Sequence, residues 1–522
     1  MARKYRLATL GCKVNQYESQ RIRELLELLG MHPATDREVP DLAIINTCAV
    51  TSSAAAKSRQ VIRRIARKGC TSVIVVGCGV AADAERISSI DGVTATLDHS
   101  TDVCEELRRL LAPEAEGVDT SAGRPPTSTP QRPSPPRDDV WIIPSTMPRH
   151  EDGHSGLRTS NHSPYILPPS DKIVKNEGAL TGTIDRFAGH QRAFIKVQDG
   201  CDAYCTYCIV PRLRPNLRYK PIATAVGEAR ALVDAGHREI VITGIFLGAY
   251  GRHTAVRRRF GAGPSPLAEL VRALAVVDGL ERLRLSSLEP GDVDDSLLEV
   301  LASHANCVPH LHLPLQSGSQ DVLRHMNRQY TLDEFTSMID RVKAALDRPA
   351  ITTDIIVGFP GETEADFEAS LEVARYAGFP KVHAFPFSPR NGTAAVRWSE
   401  QFVNPSVVRE RMHRLADVER ECSLAFRRRF IGQAERVLVE DEAEACPTGG
   451  LPTRSRGGRR AELAQHPDPG PDSTCRQTFP HHHGRSDRYF EVHFEAVGVN
   501  PGDLVFVRID QVDLRETRGT LL

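Results

Sequence analysis

Short apolar runs alternate with amphipathic segments over residues 1–112. Three of these runs have the length of strands, namely Leu7 to Leu10, Leu42 to Ile45 and Val73 to Val76. The segment between the first two carries apolar side chains at helical spacing and then a glycine suited to end a helix: Ile22, Leu25, Leu26, Leu29 and Gly30. This alternation predicts a small α/β domain built on a parallel sheet.

A second alternating region spans residues 187–425 and contains six strand-like runs. They are Phe194 to Val197, Glu239 to Thr243, Leu283 to Ser287, Leu311 to Leu315, Thr352 to Val357 and Val382 to Phe387. Helical patterns separate the runs. Six β/α units in one domain predict a partial (β/α)6 barrel, in which ligands bind at the carboxyl ends of the strands.

Residues 430–512 change to short strands separated by turns. The strand-like runs are Glu435 to Glu440, Tyr489 to Phe494 and Leu504 to Ile509. We expect a small all-β barrel, interrupted by an insert at residues 446–484. The triplet His481 to His483 falls in that insert, where a solvated loop is favoured over metal binding.

Residues 113–186 separate the first two regions and differ from them in composition. Twelve of the 58 positions from Pro113 to Ser170 are proline, against 35 of 522 in the whole chain. Such a segment buries too little apolar surface to offset the entropy of ordering. A proline-rich linker or insert is therefore expected, rather than a binding motif.

Composition limits the class of protein. The 522 residues are 40% hydrophobic and 25% charged, and no segment approaches the roughly 20 apolar residues of a membrane span. The first residues lack the apolar segment of a signal peptide, which predicts a cytoplasmic protein without a membrane partner. The net charge of −1 does not favour a nucleic-acid ligand, but it is compatible with a local basic patch. Twelve cysteines in such a chain favour metal or redox chemistry over disulfides.

The most specific signal is a C-x3-C-x2-C segment directly after the first strand of the predicted barrel, with cysteines at Cys201, Cys205 and Cys208. Three thiolates at this spacing can bind three irons of a [4Fe–4S] cluster and leave the fourth iron open to a substrate. A zinc site would need a fourth ligand nearby, and none follows within the next several residues. The cluster is favoured over zinc and over structural cysteines.

Three further cysteines, Cys12, Cys48 and Cys78, each follow a predicted strand of the first region. The carboxyl ends of parallel strands lie at one edge of a sheet, so these thiols are expected to form a second three-thiolate site. For any one of them, a buried free cysteine is the alternative. The others match no ligand motif: Cys70, Cys104, Cys307, Cys422, Cys446 and Cys475.

The first cysteine segment resembles the cluster loop of the radical S-adenosylmethionine (SAM) enzymes, in which SAM binds the open iron and is cleaved to a 5′-deoxyadenosyl radical. The residues around the other cysteines narrow the resemblance to the methylthiotransferases; they are Leu10 to Ser19, Asn46 to Thr51 and Val76 to Cys78, together with Ile209 to Pro211. The resemblance covers residues 1 to about 110 and 187 to 512. It implies a second [4Fe–4S] cluster on Cys12, Cys48 and Cys78 that delivers sulfur.

Within this family, residues 11–18 (Gly-Cys-Lys-Val-Asn-Gln-Tyr-Glu) resemble the branch that adds a methylthio group to C2 of N6-threonylcarbamoyladenosine, at position 37 beside the tRNA anticodon. Three other segments agree: Leu285 to Pro290, His312 to Gly318 and Phe385 to Arg390. The isopentenyladenosine branch more usually has Gln-Met-Asn after the Gly-Cys pair, and the branch acting on a ribosomal-protein aspartate has Pro-Lys-Asn. Those substrates are the alternatives, and a nonenzymatic iron–sulfur RNA-binding protein is the alternative of another class.

The resemblance also implies residues that bind SAM, at the ends of successive strands: Tyr207, Thr243, Gly244, Ser287, Glu289, Asp354 and Gly358. Gly244 removes the Cβ atom that would obstruct a ligand, although a turn glycine is nearly as good an explanation. A radical abstracts the hydrogen, so no acid or base is assigned. The chain departs from the family at Arg214-Pro215, where an Arg-Gly pair is usual.

A basic patch suits the phosphates of an RNA. Six basic and no acidic side chains occur within twelve residues of a predicted helix: Lys57, Arg59, Arg63, Arg64, Arg67 and Lys68. Arg428 precedes the C-terminal barrel, which resembles the TRAM-like RNA-binding barrel of these enzymes. We expect contact with a tRNA anticodon stem-loop, with a solvated basic face as the alternative. The reaction also implies a sulfur source and a flavodoxin- or ferredoxin-like electron donor.

Overall fold

The computed structural model describes residues 3–35, 37–99, 102–111, 180, 182–259, 265–443 and 480–522. Apart from residues 109–111, these belong to one compact unit. Most of the predicted proline-rich segment lies outside the described residues. Within the described ranges, no helix combines the length and the apolar character that crossing a membrane requires.

The first sheet is wholly parallel, as the alternating pattern predicts. Its strands follow the order β2-β1-β3-β4-β5 and are β1 (Lys4–Thr9), β2 (His32–Pro33), β3 (Leu42–Thr47), β4 (Ser72–Gly77) and β5 (Val93–Leu97). The helices are α1 (Lys13–Leu28), α2 (Ser52–Ala66), α3 (Cys78–Ala82), α4 (Ala84–Ser88) and α5 (Val103–Leu111). Alternate residues of β3, Ala43 and Ile45, pack against Ile62 and Ile65 of α2. The carboxyl ends of β1, β3 and β4 therefore lie side by side.

The second region forms two short sheets that make a partial barrel. The sheet β7-β6-β8-β9 consists of β6 (Arg192–Asp199), β7 (Arg218–Tyr219), β8 (Glu239–Gly244) and β9 (Arg282–Leu285). The sheet β10-β11-β12 consists of β10 (His310–His312), β11 (Ala350–Val357) and β12 (Lys381–Pro386), and a parallel bridge between Leu283 and Cys307 joins the two sheets. Each predicted run coincides with one of these strands in whole or in part. The antiparallel β7 has two residues and is too short to produce a sequence pattern.

Eight helices of the described residues accompany these strands: α6 (Val210–Leu213), α7 (Ile222–Asp234), α8 (Pro266–Ala275), α9 (Asp295–Ser303), α10 (Gln320–His325), α11 (Leu332–Ala345), α12 (Glu364–Ala377) and α13 (Pro405–Arg428). Two of them begin with capping boxes, in which Thr331 pairs with Glu334 and Thr363 with Asp366. The apolar faces of the helices and strands together form the largest core of the molecule.

Alternation along the strands separates an apolar outer face of the partial barrel from a charged inner face. In β9, Leu283 and Leu285 pack into the core, whereas the buried Arg282 and Arg284 point to the opposite side. Both arginines pair with Glu239 at the start of β8, with N–O distances of 3.3 and 2.9 Å. Charged residues therefore fill the interior near the amino-terminal ends of these strands.

The C-terminal strands close into the predicted β-barrel. Their order is β13-β14-β15-β17-β16, and they are β13 (Ala434–Ala443), β14 (His481–Ser486), β15 (Glu491–Glu495), β16 (Leu504–Val512) and β17 (Thr517–Leu521). Two details of the prediction were wrong. His481 to His483 are not a solvated loop, because they pair with β13 and β15 as part of β14. The barrel also continues beyond residue 512, to Leu521. Residues 444–479 of the predicted insert lie outside the described residues.

The turn between β14 and β15 enters the amino-terminal end of the partial barrel, and we call it the Tyr489 turn (residues 487–490). The Tyr489 ring stacks on His310 with a centroid distance of 4.5 Å, and the guanidinium groups of Arg192 and Arg284 lie over it. Arg284 also donates to the carbonyl oxygen of Asp487 at 3.1 Å. Aromatic and charged contacts thus attach the β-barrel here.

Replacing Tyr489 by alanine should loosen this attachment. The change removes a ring stack and three cation–π contacts, with Arg192, Arg284 and Arg485, and we expect it to cost about 2–4 kcal/mol. Hydrogen exchange with mass spectrometry should then detect faster amide exchange in β9 and β14. Tyr376→Ala, at a half-exposed tyrosine of α12, is the control and should leave those amides unchanged. Equal exchange in the Tyr489 variant and the parent protein would contradict the role given to this turn.

Candidate active site

Cys201, Cys205 and Cys208 lie in the loop that follows β6, at the carboxyl end of the partial barrel. The Cys201 amide donates to the carbonyl oxygen of Arg214, and the Cys208 amide donates to that of Cys205, both at 3.0 Å. All three thiols are free, and burial raises the pKa of each. A metal centre that binds their thiolates would remove the cost of burying them as charged groups.

The donor set of this loop fits a cluster better than a single ion. Among the described residues, the three side chains His312, Asp354 and His383 are the one set of possible metal ligands whose ligand atoms all lie within 4.8 Å of one another. The sulfur atoms of Cys201, Cys205 and Cys208 do not meet this limit. The three thiols are therefore spread more widely than the sulfurs around a zinc ion, whose Zn–S bonds are about 2.3 Å long. Three thiolates without a fourth protein ligand suit a [4Fe–4S] cluster with one open iron.

A buried arginine links this loop to the opposite wall of the barrel. Arg328 donates to the Cys205 sulfur at 3.1 Å and to the Tyr207 hydroxyl at 3.2 Å, and it also pairs with Glu289. Burial raises the pKa of Cys205, and the guanidinium opposes that rise. The sequence alone does not indicate Arg328, because its position in the loop after α10 belongs to no periodic pattern or ligand spacing.

Cys12, Cys48 and Cys78 follow β1, β3 and β4, which are adjacent in the first sheet. A methyl group added to Gly11 would lie 2.9 Å from the Cβ atom of Cys48, so the first two loops approach each other closely. Burial raises the pKa of Cys48 and of Cys78, and the charge of Cys12 acts on both thiols in the same direction. The fold thus brings together the three cysteines that the strand pattern selects.

Polar residues of the cysteine segments tie the three strand ends together. Asn15 donates to the carbonyl oxygen of Thr47, and Asn46 donates to that of Asn15, both at 3.0 Å. The Thr47 hydroxyl donates to the carbonyl oxygen of Val76 at 2.7 Å and accepts from the Gly79 amide at 3.1 Å. These buried bonds explain why asparagine and threonine flank the cysteines, since they satisfy backbone groups at the strand ends.

The two sets of cysteines meet across a small apolar contact. Ile209, which directly follows the Cys201 loop, packs with Ala49 and Cys78. Ser52, at the start of α2, donates to the carbonyl oxygen of Pro389 at 2.7 Å. The first sheet therefore contacts the carboxyl end of the partial barrel beside both sets.

A group of buried charges lies between the two sets, and we call Glu18, Lys196, Asp199 and Arg214 the Arg214 cluster. Arg214 donates to Glu18 of α1 at 2.9 and 3.0 Å and to Asp199 of β6 at 2.8 Å. Lys196 pairs with the same carboxylates at 2.7 and 2.8 Å. Although burial acts in the opposite direction, these cations hold the pKa values of Glu18 and Asp199 well below their usual range.

The Arg214 cluster contacts both cysteine sets. The guanidinium bonds to His99 Nε2 at 2.7 Å and to the Cys78 thiol, while the Arg214 carbonyl accepts the Cys201 amide. Burial lowers the pKa of His99 to about 4, so this imidazole is neutral at pH 7 and accepts the bond. Pro215, at the departure from the family pattern, leaves the arginine in place to make these contacts.

Several residues predicted for SAM binding lie at the same end of the partial barrel. Glu289 is buried and shares Arg328 with the half-buried Tyr207, and Thr243 is buried at the end of β8. Ser287 is exposed just beyond β9. These four side chains lie at or beyond the carboxyl ends of β6, β8 and β9, where the barrel places a ligand.

The fold itself requires the two glycines that are predicted to bind SAM, Gly244 and Gly358. A methyl group at Gly244 would lie 2.9 Å from the Cβ atom of Gln198 in the neighbouring strand. At Gly358, where φ is +76°, it would lie 2.5 Å from a methyl carbon of Val408. Strand packing and backbone conformation therefore require both glycines, whatever ligand binds beside them.

Asp354 faces imidazoles within the barrel. Its carboxylate lies 3.2 Å from His312 Nε2, and His312 Nδ1 bonds to the Thr352 hydroxyl at 2.9 Å. His383, on the next strand, completes the set of three with ligand atoms within 4.8 Å. Two imidazoles and a carboxylate suit a divalent cation or a polar organic ligand.

Five of the predicted RNA-binding residues form an exposed patch on α2 and directly after it: Lys57, Arg63, Arg64, Arg67 and Lys68. The opposite side of α2 packs on the first sheet, which leaves these side chains in solvent. Arg428 is exposed at the end of α13. Its neighbour Arg427 is buried and donates to the carbonyl oxygen of Asp513 at 2.8 Å, so it attaches α13 to the β-barrel.

Comparison with known proteins identifies two family matches. Residues 195–374 match the Radical SAM superfamily, and residues 4–97 match Uncharacterized protein family UPF0004. A solved structure of the radical S-adenosylmethionine methyltransferase TsrM from Kitasatospora setae, with cobalamin and a [4Fe-4S] cluster bound, has a TM-score of 0.48. It is 15% identical to this chain, and the match covers 77% of this chain and 75% of that one.

Two curated relatives match most of the chain. The threonylcarbamoyladenosine tRNA methylthiotransferase MtaB of Chlamydia pneumoniae is 34% identical over 450 residues, which are 86% of this chain and 89% of that protein. A tRNA-2-methylthio-N(6)-dimethylallyladenosine synthase of Parafrankia sp. (strain EAN1pec) is 34% identical over 467 residues, which are 88% of this chain and 83% of that protein.

Replacing Arg214 by methionine should destabilise the protein at neutral pH. Glu18 and Asp199 would stay buried with one cation fewer, and such a loss costs about 3–5 kcal/mol. Without the guanidinium their pKa values rise, so the deficit in the urea unfolding midpoint should shrink from pH 7 to pH 5 as the carboxylates take up protons. Arg86→Met, at an exposed ion pair, should shift the midpoint little at either pH. A deficit that stays constant with pH would contradict this account.

Proposed function

The chain belongs to the tRNA methylthiotransferases of the radical SAM superfamily, and we propose that it converts N6-threonylcarbamoyladenosine at position 37 of tRNA to the 2-methylthio derivative. The family follows from 34% identity across most of the chain. The proposal selects one of the two substrates named for these relatives.

The loop with Cys201, Cys205 and Cys208 would hold the [4Fe–4S] cluster that the superfamily uses with SAM. When both are bound, they supply the radical that removes the C2 hydrogen of the adenine. The residues of the chain itself enclose this site: the buried Arg328 side chain donates to Cys205 and to the half-buried Tyr207, and Glu289 neutralises the guanidinium. Burial here excludes water from a radical reaction.

We further propose that Cys12, Cys48 and Cys78 hold a second [4Fe–4S] cluster, which delivers the sulfur. The observation that carries the proposed function is the buried apolar cluster that Ile209 shares with Cys78, since Ile209 directly follows the first cysteine set and Cys78 belongs to the second. A flavodoxin- or ferredoxin-like protein would supply electrons, a separate source would supply sulfur, and the reaction would take place in the cytoplasm.

Overall identity does not select the branch, because relatives named for each substrate are equally similar. The support for threonylcarbamoyladenosine comes from residues 11–18, which place Lys13 after the Gly-Cys pair. The exposed patch on α2, with Arg428, would contact phosphates of the anticodon stem-loop. The modified base would then be splayed out of the loop to reach the cysteines.

Mutation should separate the roles of the two cysteine sets. Cys205→Ala should abolish the reductive cleavage of SAM, whereas Cys12→Ala should retain cleavage and lose sulfur insertion. Mass spectrometry of 5′-deoxyadenosine and of the RNA nucleosides measures both. Cys422→Ala, outside both sets, should keep both activities. Cleavage that survives in the Cys205 variant would refute the assignment of the first set.

The substrate is tested on tRNA from cells that lack this gene, with the gene or its Cys201→Ala variant restored. We expect 2-methylthio-N6-threonylcarbamoyladenosine to appear only with the unaltered gene, as detected by nucleoside mass spectrometry. If the methylthio derivative of isopentenyladenosine appears instead, the proposed substrate is wrong and the proposed reaction stands. Unchanged nucleosides with an altered ribosomal-protein mass would support the peptide alternative, and absence of SAM cleavage would support the nonenzymatic one.

A further inference from the structure

Three side chains on the second sheet of the partial barrel converge on one point, and we call His312, Asp354 and His383 the His312 set. Their ligand atoms all lie within 4.8 Å of one another. The His312 Nε2 atom lies 3.2 Å from the Asp354 carboxylate, and the rings of His312 and His383 have a centroid distance of 5.6 Å. Among the described residues, no other three possible metal ligands come this close together.

The register of the sheet places the three side chains on one face. His312 pairs with Thr352 across β10 and β11, and Asp354 pairs with His383 across β11 and β12. Because side chains alternate along a strand, Thr352 and Asp354 point to the same side. Residues of the alternate positions pack into the apolar core: Leu311, Ile351, Ile355 and Val382. The His312 set therefore belongs to the inner face of the partial barrel.

The set lies towards the carboxyl end of the partial barrel. The His312 carbonyl oxygen accepts the amide of Leu288, which lies beyond the end of β9, at 3.0 Å. The Asp354 carbonyl oxygen accepts the amide of Gln316, which lies beyond the end of β10, at 2.8 Å. The set is thus level with the segments that follow β9 and β10, in the half of the barrel that carries the Cys201 loop.

A buried threonine orients His312. The Thr352 hydroxyl bonds to His312 Nδ1 at 2.9 Å. When a metal binds an imidazole through Nε2, the proton stays on Nδ1, and a fixed acceptor for that proton holds the ring in the binding orientation. Thr352 supplies this acceptor and leaves Nε2 directed at the Asp354 carboxylate.

His383 completes the set from the edge of the sheet. Its strand, β12, is the last of its sheet, and the His383 side chain is exposed. Within the described ranges, the ring contacts His312 and takes part in no hydrogen bond. Its nitrogens are thus accessible to an ion that enters from solvent. Lys381, two residues earlier, pairs with Glu419, so its charge is already compensated.

The donor atoms suit a divalent transition metal. Imidazole favours zinc and its neighbours in the first transition row over magnesium and calcium, which prefer oxygen ligands. With metal–ligand bonds of about 2.1 Å, the 3.2 Å between His312 and Asp354 subtends roughly 100° at an ion, between the octahedral and tetrahedral angles. Ligand atoms this close to one another surround a single ion rather than an organic group.

We propose that the His312 set binds one divalent transition-metal ion, such as zinc, on the inner wall of the partial barrel. The site uses none of the six cysteines proposed to hold clusters, and it does not depend on which nucleoside is modified. It assigns Asp354 to the ion rather than to SAM, which is the ligand implied by the sequence resemblance. Three protein ligands leave a position open on the ion, where an oxygen atom of a ligand inside the barrel can bind.

The test measures zinc binding by the full-length protein with both iron–sulfur clusters reconstituted. Equilibrium dialysis with elemental mass spectrometry should find one bound zinc ion per chain. His383→Ala should weaken this binding about ten- to a hundred-fold, because it removes one of three ligands at an exposed position where the fold tolerates truncation. His493→Ala is the matched control and should leave the affinity unchanged. It removes a β15 histidine whose Nδ1 atom lies 3.3 Å from His481 Nε2, outside the set.

X-ray absorption at the zinc edge identifies the ligands of the bound ion. Nitrogen and oxygen neighbours at about 2.0–2.1 Å are expected, whereas sulfur neighbours at about 2.3 Å would place the zinc on cysteines and overturn the inference. A parent protein that binds no zinc, or a His383 variant with the affinity of the parent, would also overturn it. None of these measurements involves tRNA or the cleavage of SAM, so the inference and the proposed function can fail separately.

Discussion

The Arg214 cluster is the interaction on which the geometry of the candidate site depends. It buries two carboxylates and two cations from α1, β6 and the end of α6, and each carboxylate meets both cations. A buried charge is tolerated only while its partners stay in place, so α1 cannot shift against β6 without breaking several ion pairs. Cys12 precedes α1 and Cys201 follows β6. The cluster therefore holds the two cysteine sets at a constant separation.

A second polar attachment acts at the other end of the partial barrel. The Tyr489 turn fills the amino-terminal end among His310, Arg192 and Arg284, and the cysteine loops occupy the carboxyl end. The interior between them is charged and hydrogen-bonded rather than apolar. Such an interior can orient a polar substrate and exclude bulk water from it, which a reaction that proceeds through a radical requires.

The choice of substrate depends on fewer residues than the fold does. Relatives named for threonylcarbamoyladenosine and for dimethylallyladenosine share the same 34% identity with this chain. Overall similarity therefore does not distinguish the two substrates, and the residues that select between them have to be side chains that face the modified base.

Local patterns in the chain were sufficient to predict the alternating strands and helices and the C-terminal barrel, and to single out both cysteine sets. Periodicity and spacing can be recognised within a few residues. They could not reveal that Arg328 meets Cys205, 123 positions away, or that Arg214 joins Glu18 across 196 positions. They also misplaced His481 to His483, because β14 consists of three histidines, a glycine, an arginine and a serine and lacks the alternating apolar residues that mark a strand. Folding brought these distant residues together, and burial then required the charges of Arg328 and Arg214 to have carboxylate partners.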